Sequence, residues 1–117
     1  MCIVVIKCFL SLSVVVLTLG LTSTTRGADK KTAELWLDKC ARCHGDTGAG
    51  DTPLGRKLKV IDYSSKKAQE GFSEEHLRQL IGEGATRDKK RVMPAYKDEL
   101  SKAEIGDLIT YIKSLAK

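Results

Sequence analysis

Apolar residues recur at helical spacing in three parts of the chain, most clearly at the C-terminal end. Ser101 and Glu104 are spaced as a capping box, in which the two side chains satisfy free amide groups at the start of a helix. Apolar residues then follow three and four positions apart, at Ile105, Leu108, Ile109, Ile112 and Leu115. This pattern predicts a closing helix with one apolar face.

The same spacing predicts two earlier helices. The first runs roughly over residues 30–43 and places on one face Ala33, Trp36, Leu37 and Cys40. The second begins after Ser73, a suitable N-cap, and ends at Gly82 and Gly84. Residues 45–55 form a glycine-rich loop and residues 84–97 a charged loop, and no stretch alternates like a strand. The prediction is an all-α fold with three main helices and long loops.

Residues 1–27 differ in composition from the rest. A lone Lys7 precedes an uncharged, apolar stretch of about 14 residues, after which small and polar residues lead to Gly27. We expect a secretory signal that is cleaved near Gly27 or Ala28, and therefore an exported, periplasmic protein. An uncleaved anchor, and with it membrane attachment, is the alternative, although the stretch is shorter than the roughly 20 residues of a membrane span.

Charge and size narrow the class of protein further. The formal net charge of the chain is +5, and without Lys7 and Arg26 the domain at residues 28–117 carries about +3. This excess is too mild and too mixed for a nucleic-acid-binding protein. A single domain of about 90 residues buries little surface and usually needs a disulfide, a metal or a cofactor to stabilise it.

The cysteines indicate a cofactor. Two of the four lie in residues 1–27, which leaves Cys40 and Cys43. A disulfide between cysteines this close would constrain little of the unfolded chain. Together with His44 they form Cys-Ala-Arg-Cys-His, the pattern of covalent haem c attachment. On a helix both thiols can face one porphyrin edge and join its two vinyl groups, and His44 can reach the iron as the proximal ligand.

Other uses of the two cysteines fit less well. A redox-active dithiol has the same spacing but belongs to a βαβ context that this chain lacks. A zinc site would need both histidines, and His44 lies beside Cys43 in sequence, which strains four-coordinate geometry. The second axial iron ligand is Met93, the remaining methionine, or His76. Met93 is favoured because it lies in a polar loop with no core to fill, whereas His76 lies in the first turn of an acidic helix.

These motifs resemble those of the class I cytochromes c, especially the small bacterial periplasmic ones. The resemblance covers nearly all of residues 30–117. Besides the attachment motif, it rests on Trp36 four residues before Cys40, the run 43–51, Met93-Pro94-Ala95-Tyr96 and the closing residues 108–112. It implies a cytochrome c fold wrapped around one haem c that is ligated by His44 and Met93.

The resemblance also implies particular contacts. The first and last helices should cross near Trp36 and Tyr111, and the carbonyl of Pro53 should accept a hydrogen bond from the proximal histidine. Thr32 stands where the family often has a glycine at the crossing, so the crossing would be wider or shifted onto Ala33. No second tryptophan is present to hold a haem propionate, and the substitutes are Arg56, Lys57 and Tyr63.

The expected function is single-electron transfer between periplasmic or membrane redox partners. With His44 and Met93 both bound, the iron has no open position, so the chain is an electron carrier and not an enzyme by itself. The alternatives are a haem subunit of an oxidoreductase complex and a gas sensor from which Met93 dissociates. We expect a monomer whose positive loop, with Arg87, Lys89, Lys90 and Arg91, docks acidic partners, unless these charges only keep the loop solvated.

Overall fold

Six helices and a two-stranded hairpin make up the part of the chain that the computed structural model describes, residues 25–117, with side chains from Asp29 onward. The elements are α1 (Thr25–Lys39), α2 (Ala41–His44), α3 (Pro53–Leu58), α4 (Lys66–Gln69), α5 (Glu74–Glu83), β1 (Ala85–Arg87), β2 (Lys90–Met93) and α6 (Lys102–Ser114). The predicted signal lies outside the described residues except for its last three, which belong to α1. None of the helices in the described region has the length and apolarity to cross a membrane.

The crossing of α1 and α6 forms the centre of the fold. The rings of Trp36 and Tyr111 lie 5.6 Å apart, which agrees with the contact that the resemblance implied. Lys31 and Glu104 form an ion pair between the same two helices at 3.0 Å. Thr32 is buried and Ala33 is half-buried, so Thr32 takes the close position at the crossing. Leu37 was wrongly assigned to the buried face, since it is 53% exposed.

The first helix is shorter than predicted at its C-terminal end. α1 ends at Lys39, the chain turns at Cys40, and the separate single turn α2 carries the rest of the attachment motif. The amide of Cys40 still donates to the carbonyl of Trp36 at 2.8 Å, so the break follows one last helical bond. The motif therefore lies at a corner of the chain, where its side chains face a cavity.

The two long helices after residue 70 agree with their sequence signals. Ser73 caps α5 by accepting a hydrogen bond from the amide of His76, and Gly84 ends the helix with φ of 72°, although Gly82 lies inside it. At α6 the capping box of Ser101 and Glu104 is complete. The short helices α3 and α4 were not predicted, because four to six residues are too few to show a periodicity.

The charged loop at residues 84–97 contains a β-hairpin, which the sequence analysis missed. β1 and β2 pair antiparallel, and Arg87 lies opposite Lys90. Asp88 and Lys89 form the two-residue turn with φ of 49° and 60°, the left-handed conformation that tight hairpins require. The fold is therefore mainly helical, with one small sheet, and it agrees with the predicted cytochrome c fold.

The buried core lies between α1, α5 and α6. Trp36 and Leu108 are each 1% exposed at its centre. The other buried apolar residues are Ala41, Tyr63, Leu77, Ile81, Leu100, Ile105, Ile109 and Ile112. Such a core is small for about 90 residues, which agrees with a domain that depends on a cofactor.

Candidate haem-binding site

The attachment motif is held by hydrogen bonds that run along its own backbone and into α1. The amides of Cys43 and His44 both donate to the carbonyl of Cys40, at 3.1 and 2.9 Å. The indole Nε1 of Trp36 donates to the carbonyl of Gly45 at 3.1 Å. Because Trp36 is fully buried, this bond fixes the end of the motif against the core.

Two aromatic rings enclose the side chain of His44. The ring of Tyr63 stacks against the imidazole, with centroids 5.2 Å apart and planes inclined by 27°. Trp36 lies 5.8 Å from the imidazole in a tilted arrangement. These two contacts limit the rotation of the imidazole, which helps a metal ligand to keep its orientation.

Helix α3 supports the motif from behind. Oγ1 of Thr52 accepts from the amide of Gly55 at 2.8 Å. Its single proton is shared between the carbonyls of Arg42 and Cys43, which lie 3.0 and 3.1 Å away. Gly55 is required for this approach, because a Cβ at that position would lie 2.2 Å from the carbonyl oxygen of Cys43. The residue between the two, Pro53, begins α3.

A cavity of about 560 Å³ lies in front of the motif, within the range of ligand-binding pockets in proteins. Cys40, Cys43, His44 and Met93 all line it, so the structure brings together the four residues that the sequence singled out. Much of the remaining wall is apolar, formed by Leu54, Leu58, Val60, Ile61, Leu80, Val92 and Pro94. Such a wall suits a large, flat, apolar group.

The Met93 side of the cavity is fixed by the hairpin and by α5. Gly84, between α5 and β1, lets the chain pass close to Met93, because a Cβ there would lie 2.4 Å from the Met93 carbonyl oxygen. The guanidinium of Arg91 donates to the carbonyl of Glu83 at 2.7 Å, and that of Arg87 donates to the carbonyl of Leu58 at 2.9 Å. These bonds tie the strands to both neighbouring helices.

His76, the alternative iron ligand, does not reach the cavity. Its side chain is exposed on the first turn of α5 and contacts Phe72, with ring centroids 5.3 Å apart. Among the described residues that line the cavity, His44 is the one histidine.

Burial sets the protonation states of the predicted ligands. It raises the pKa of the Cys40 thiol to about 11, and the nearby Cys43 and Asp38 add to the shift. Burial also lowers the pKa of His44, so its imidazole is neutral at neutral pH and can bind a metal. Nδ1 of His44 is the one buried side-chain nitrogen or oxygen without a hydrogen-bond partner among the residues described. The structure therefore does not form the bond to the Pro53 carbonyl.

These observations fit haem c. The site offers two adjacent unpaired thiols, a neutral imidazole and a thioether, all on one apolar cavity. The potential metal donors are the nitrogen of His44 and the thioether sulfur of Met93. This combination is one that ligates haem iron in c-type cytochromes.

The cationic side chains on the cavity wall differ from those expected. Of the substitutes proposed for holding a haem propionate, Tyr63 lines the cavity, whereas Arg56 and Lys57 do not. Arg56 instead donates to the carbonyl of Asp51. Lys59 and Arg87 do line the cavity. The sequence did not point to Lys59, which lies in a left-handed turn at the end of the unpredicted α3, and it named Arg87 only as part of the positive loop.

Comparisons with known proteins agree with this site. The family model described as cytochrome c oxidase, cbb3-type, subunit III matches residues 27–112. The chain is 34% identical over 92 residues to the cbb3-type cytochrome c oxidase subunit FixP of Azorhizobium caulinodans, an alignment that covers 75% of this chain and 27% of FixP. It is 28% identical over 100 residues to subunit CcoP of Azospirillum brasilense, covering 86% of this chain and 32% of CcoP. The chain thus spans about a third or less of these relatives.

A solved structure supports the fold. The c-type cytochrome KustC0563 superposes with a TM-score of 0.65 and 27% identity, covering 74% of this chain and 98% of its own. Its length therefore corresponds to the described domain. From the motif, the cavity and these comparisons together, the chain belongs to the family of the cbb3-type cytochrome c oxidase subunit III, and it is a c-type cytochrome that transfers electrons by means of covalently bound haem c.

Proposed function

We propose that Cys40 and Cys43 bind the haem covalently and that His44 and Met93 are the two axial ligands of its iron. The observation that carries this assignment is the shared cavity, which all four side chains line and which His76 does not reach. His44 is the last residue of α2, and Met93 is the last residue of β2. The acceptor role of Pro53 remains a prediction.

Haem c would supply a reversible one-electron couple at its iron, and ligation by the Met93 thioether together with His44 would favour the reduced state. The residues of the chain hold that couple in a dry and rigid setting. The apolar wall excludes water, which raises the reduction potential by disfavouring the more highly charged oxidised state. Trp36 and Tyr63 fix the imidazole from two sides. This arrangement suits electron transfer and leaves no position for a substrate.

The similarity to FixP and CcoP favours a larger redox protein as the partner of this domain. FixP and CcoP are named as subunits of a cbb3-type cytochrome c oxidase, and each is about three times as long as this chain. We propose that this domain works in the periplasm and exchanges electrons with a larger redox protein, either as a bound haem subunit or as a diffusible carrier. Co-purification with a larger protein from a mild detergent extract supports a subunit, whereas recovery as a free monomer supports a carrier.

The cationic side chains of the positive loop differ in whether they are hydrogen-bonded to the backbone. Arg87 and Arg91 are tied to backbone carbonyls, whereas Lys89 and Lys90 are exposed at the turn of the hairpin whose strands line the cavity with Arg87 and Met93. We propose that these two lysines attract acidic partners toward the haem edge. The alternative is that they only keep the turn solvated.

Mass and absorption measurements test the attachment. The intact processed protein should exceed its polypeptide mass by one haem, and acidic acetone should not extract the haem. Replacing either cysteine, as Cys40→Ser or Cys43→Ser, should leave a single thioether bond and shift the reduced absorption band in pyridine and alkali to longer wavelength, because one vinyl group remains conjugated. Haem that is extracted from the wild-type protein, or variants without such a shift, would contradict the assignment.

A further inference from the structure

We infer that Tyr96 is a positioning residue for Met93. The hydrogen bond from its hydroxyl to the carbonyl of Lys39 holds the cavity wall that carries Met93 against the wall that carries Cys40. This inference rests on the proposed ligation of the iron by Met93. The phenol Oη of Tyr96 donates to the carbonyl oxygen of Lys39 at 3.0 Å. Tyr96 follows Met93 by three residues, and Lys39 directly precedes Cys40.

The hydrogen bond joins the two walls of the haem cavity. Tyr96, Lys39, Met93 and Cys40 all line that cavity. One wall therefore carries the thiol next to Lys39, and the other carries the thioether close to Tyr96. A bond between them limits how far the walls can separate.

The other bonds near Met93 act in a different direction. The amides of Tyr96 and Lys97 donate to the carbonyls of Ile81 and Gly82, at 3.0 and 3.1 Å. These bonds hold the segment after Met93 to α5, but they do not set its distance from Cys40. A second link between the walls is the ion pair of Lys39 and Glu99 at 3.6 Å. Both partners are solvent-exposed, and such pairs contribute little.

This hydrogen bond should limit the replacement of Met93 on the iron by an external ligand. An external ligand reaches the iron only when the Met93 segment moves away, so its apparent affinity is scaled by the fraction of molecules in that open state. A hydrogen bond present only in the closed state lowers the open fraction. The usual net strength of one hydrogen bond corresponds to about a three- to tenfold change in that fraction.

Imidazole binding to the oxidised holoprotein tests this inference. Tyr96→Phe keeps the ring and removes only the hydroxyl. Its apparent affinity for imidazole, measured by absorption titration, should rise about three- to tenfold over wild type. Tyr111→Phe is the matched control, because its half-buried ring packs on Trp36 at the crossing of α1 and α6 and does not line the cavity. Its affinity should equal that of wild type. Glu99→Gln should give a smaller rise than Tyr96→Phe.

The outcomes separate this inference from the proposed ligation. Unchanged imidazole affinity in Tyr96→Phe, even with a lower free energy of unfolding, would reduce Tyr96 to a purely structural role and overturn the inference. An equal rise in Tyr111→Phe would also overturn it. If the oxidised wild-type protein lacks the weak near-infrared band of iron–thioether ligation, the failure lies in the assignment of Met93 itself.

Discussion

The ring of Tyr63 stacks on the imidazole of His44, with centroids 5.2 Å apart. Tyr63 is 5% exposed and lies about 20 residues after the attachment motif, so tertiary packing brings the two rings together. The amide of Tyr63 donates to the carbonyl of Gly48 at 2.8 Å, which ties the ring to the loop that follows the motif. The imidazole proposed as the proximal ligand is thus supported by a residue outside its own segment.

Removing the ring of Tyr63 should therefore destabilise the domain. We expect Tyr63→Leu to lower the free energy of unfolding by about 1–3 kcal/mol, because it leaves a void and loses the stacked contact. Tyr63→Phe keeps the ring and should stay within about 1 kcal/mol of wild type. Denaturant unfolding of the oxidised holoprotein measures both. Equal losses in the two variants would assign the effect to the hydroxyl and not to the ring.

Gly84→Ala tests the close approach of the chain to Met93, and Gly106→Ala is its control. Gly84 has φ of 72° and ψ of −170°, a conformation nearly restricted to glycine, and a Cβ there would clash with the Met93 carbonyl. Gly84→Ala should cost about 1–3 kcal/mol of unfolding free energy and weaken the iron–thioether band. Gly106 lies inside α6 with open space around it, so Gly106→Ala should stabilise by up to about 1 kcal/mol. A neutral Gly84→Ala would contradict the close approach.

The crossing of α1 and α6 should depend on pH through Glu104. The pKa of Glu104 is lowered to about 2 by the amide of Ser101, by Lys31 and by the hydroxyl of Ser101. A carboxylate with a depressed pKa stabilises the folded state above about pH 4.5, and this contribution is lost as the pH falls toward 2. Glu104→Gln should therefore be less stable than wild type at pH 7, with a gap that narrows between pH 5 and pH 2.

The control for this pH dependence is Gly106→Ala, a change on the same helix that adds or removes no ionisable group. Thermal unfolding should give a difference between this variant and wild type that stays constant across the pH range. A constant gap between Glu104→Gln and wild type from pH 7 to pH 2 would contradict the role of the carboxylate charge.

Charge reversal tests the hairpin lysines. The double variant Lys89→Glu/Lys90→Glu should slow oxidation of the reduced protein by ferricyanide, an anion, on the order of tenfold at low salt. The matched control is Lys66→Glu/Lys67→Glu, which makes the same net change on α4, whose residues do not line the cavity. The difference between the pairs should shrink at high salt, where exposed charges are screened. Equal rates for both variants would leave Lys89 and Lys90 as solvating charges only.

Local signals were sufficient to predict much of the fold. The capping box at Ser101 and the N-cap at Ser73 act within one helical turn, so the sequence alone locates the starts of α6 and α5. The hairpin was missed because its turn is Asp88-Lys89 in place of the usual Asn-Gly, and because charged residues on both sides obscure any alternation. Leu37 was misplaced because spacing alone does not show where the apolar face of α1 ends.

Some residues of the site could likewise be predicted from the sequence, and others could not. Cys40, Cys43 and His44 are recognisable because their chemistry requires them to be adjacent, and Met93 because few other ligands remain. Tyr63, Tyr96 and Arg87 were named from the sequence, but it did not predict that Tyr63 stacks on His44 or that Tyr96 bonds to Lys39. Lys59 was not named at all. These contacts, and the place of Lys59 on the cavity wall, depend on the path of the chain, so the structure is needed to identify them.

The most direct test of the proposed site is the near-infrared absorption of the oxidised holoprotein in three forms: wild type, Met93→Ala and His76→Ala. The weak band of iron–thioether ligation should be present in wild type and in His76→Ala, because the side chain of His76 is exposed and outside the cavity. It should be absent in Met93→Ala, which loses the sulfur ligand. A band that persists in Met93→Ala, or loss of the low-spin spectrum in His76→Ala, would contradict the assignment of Met93 as the iron ligand.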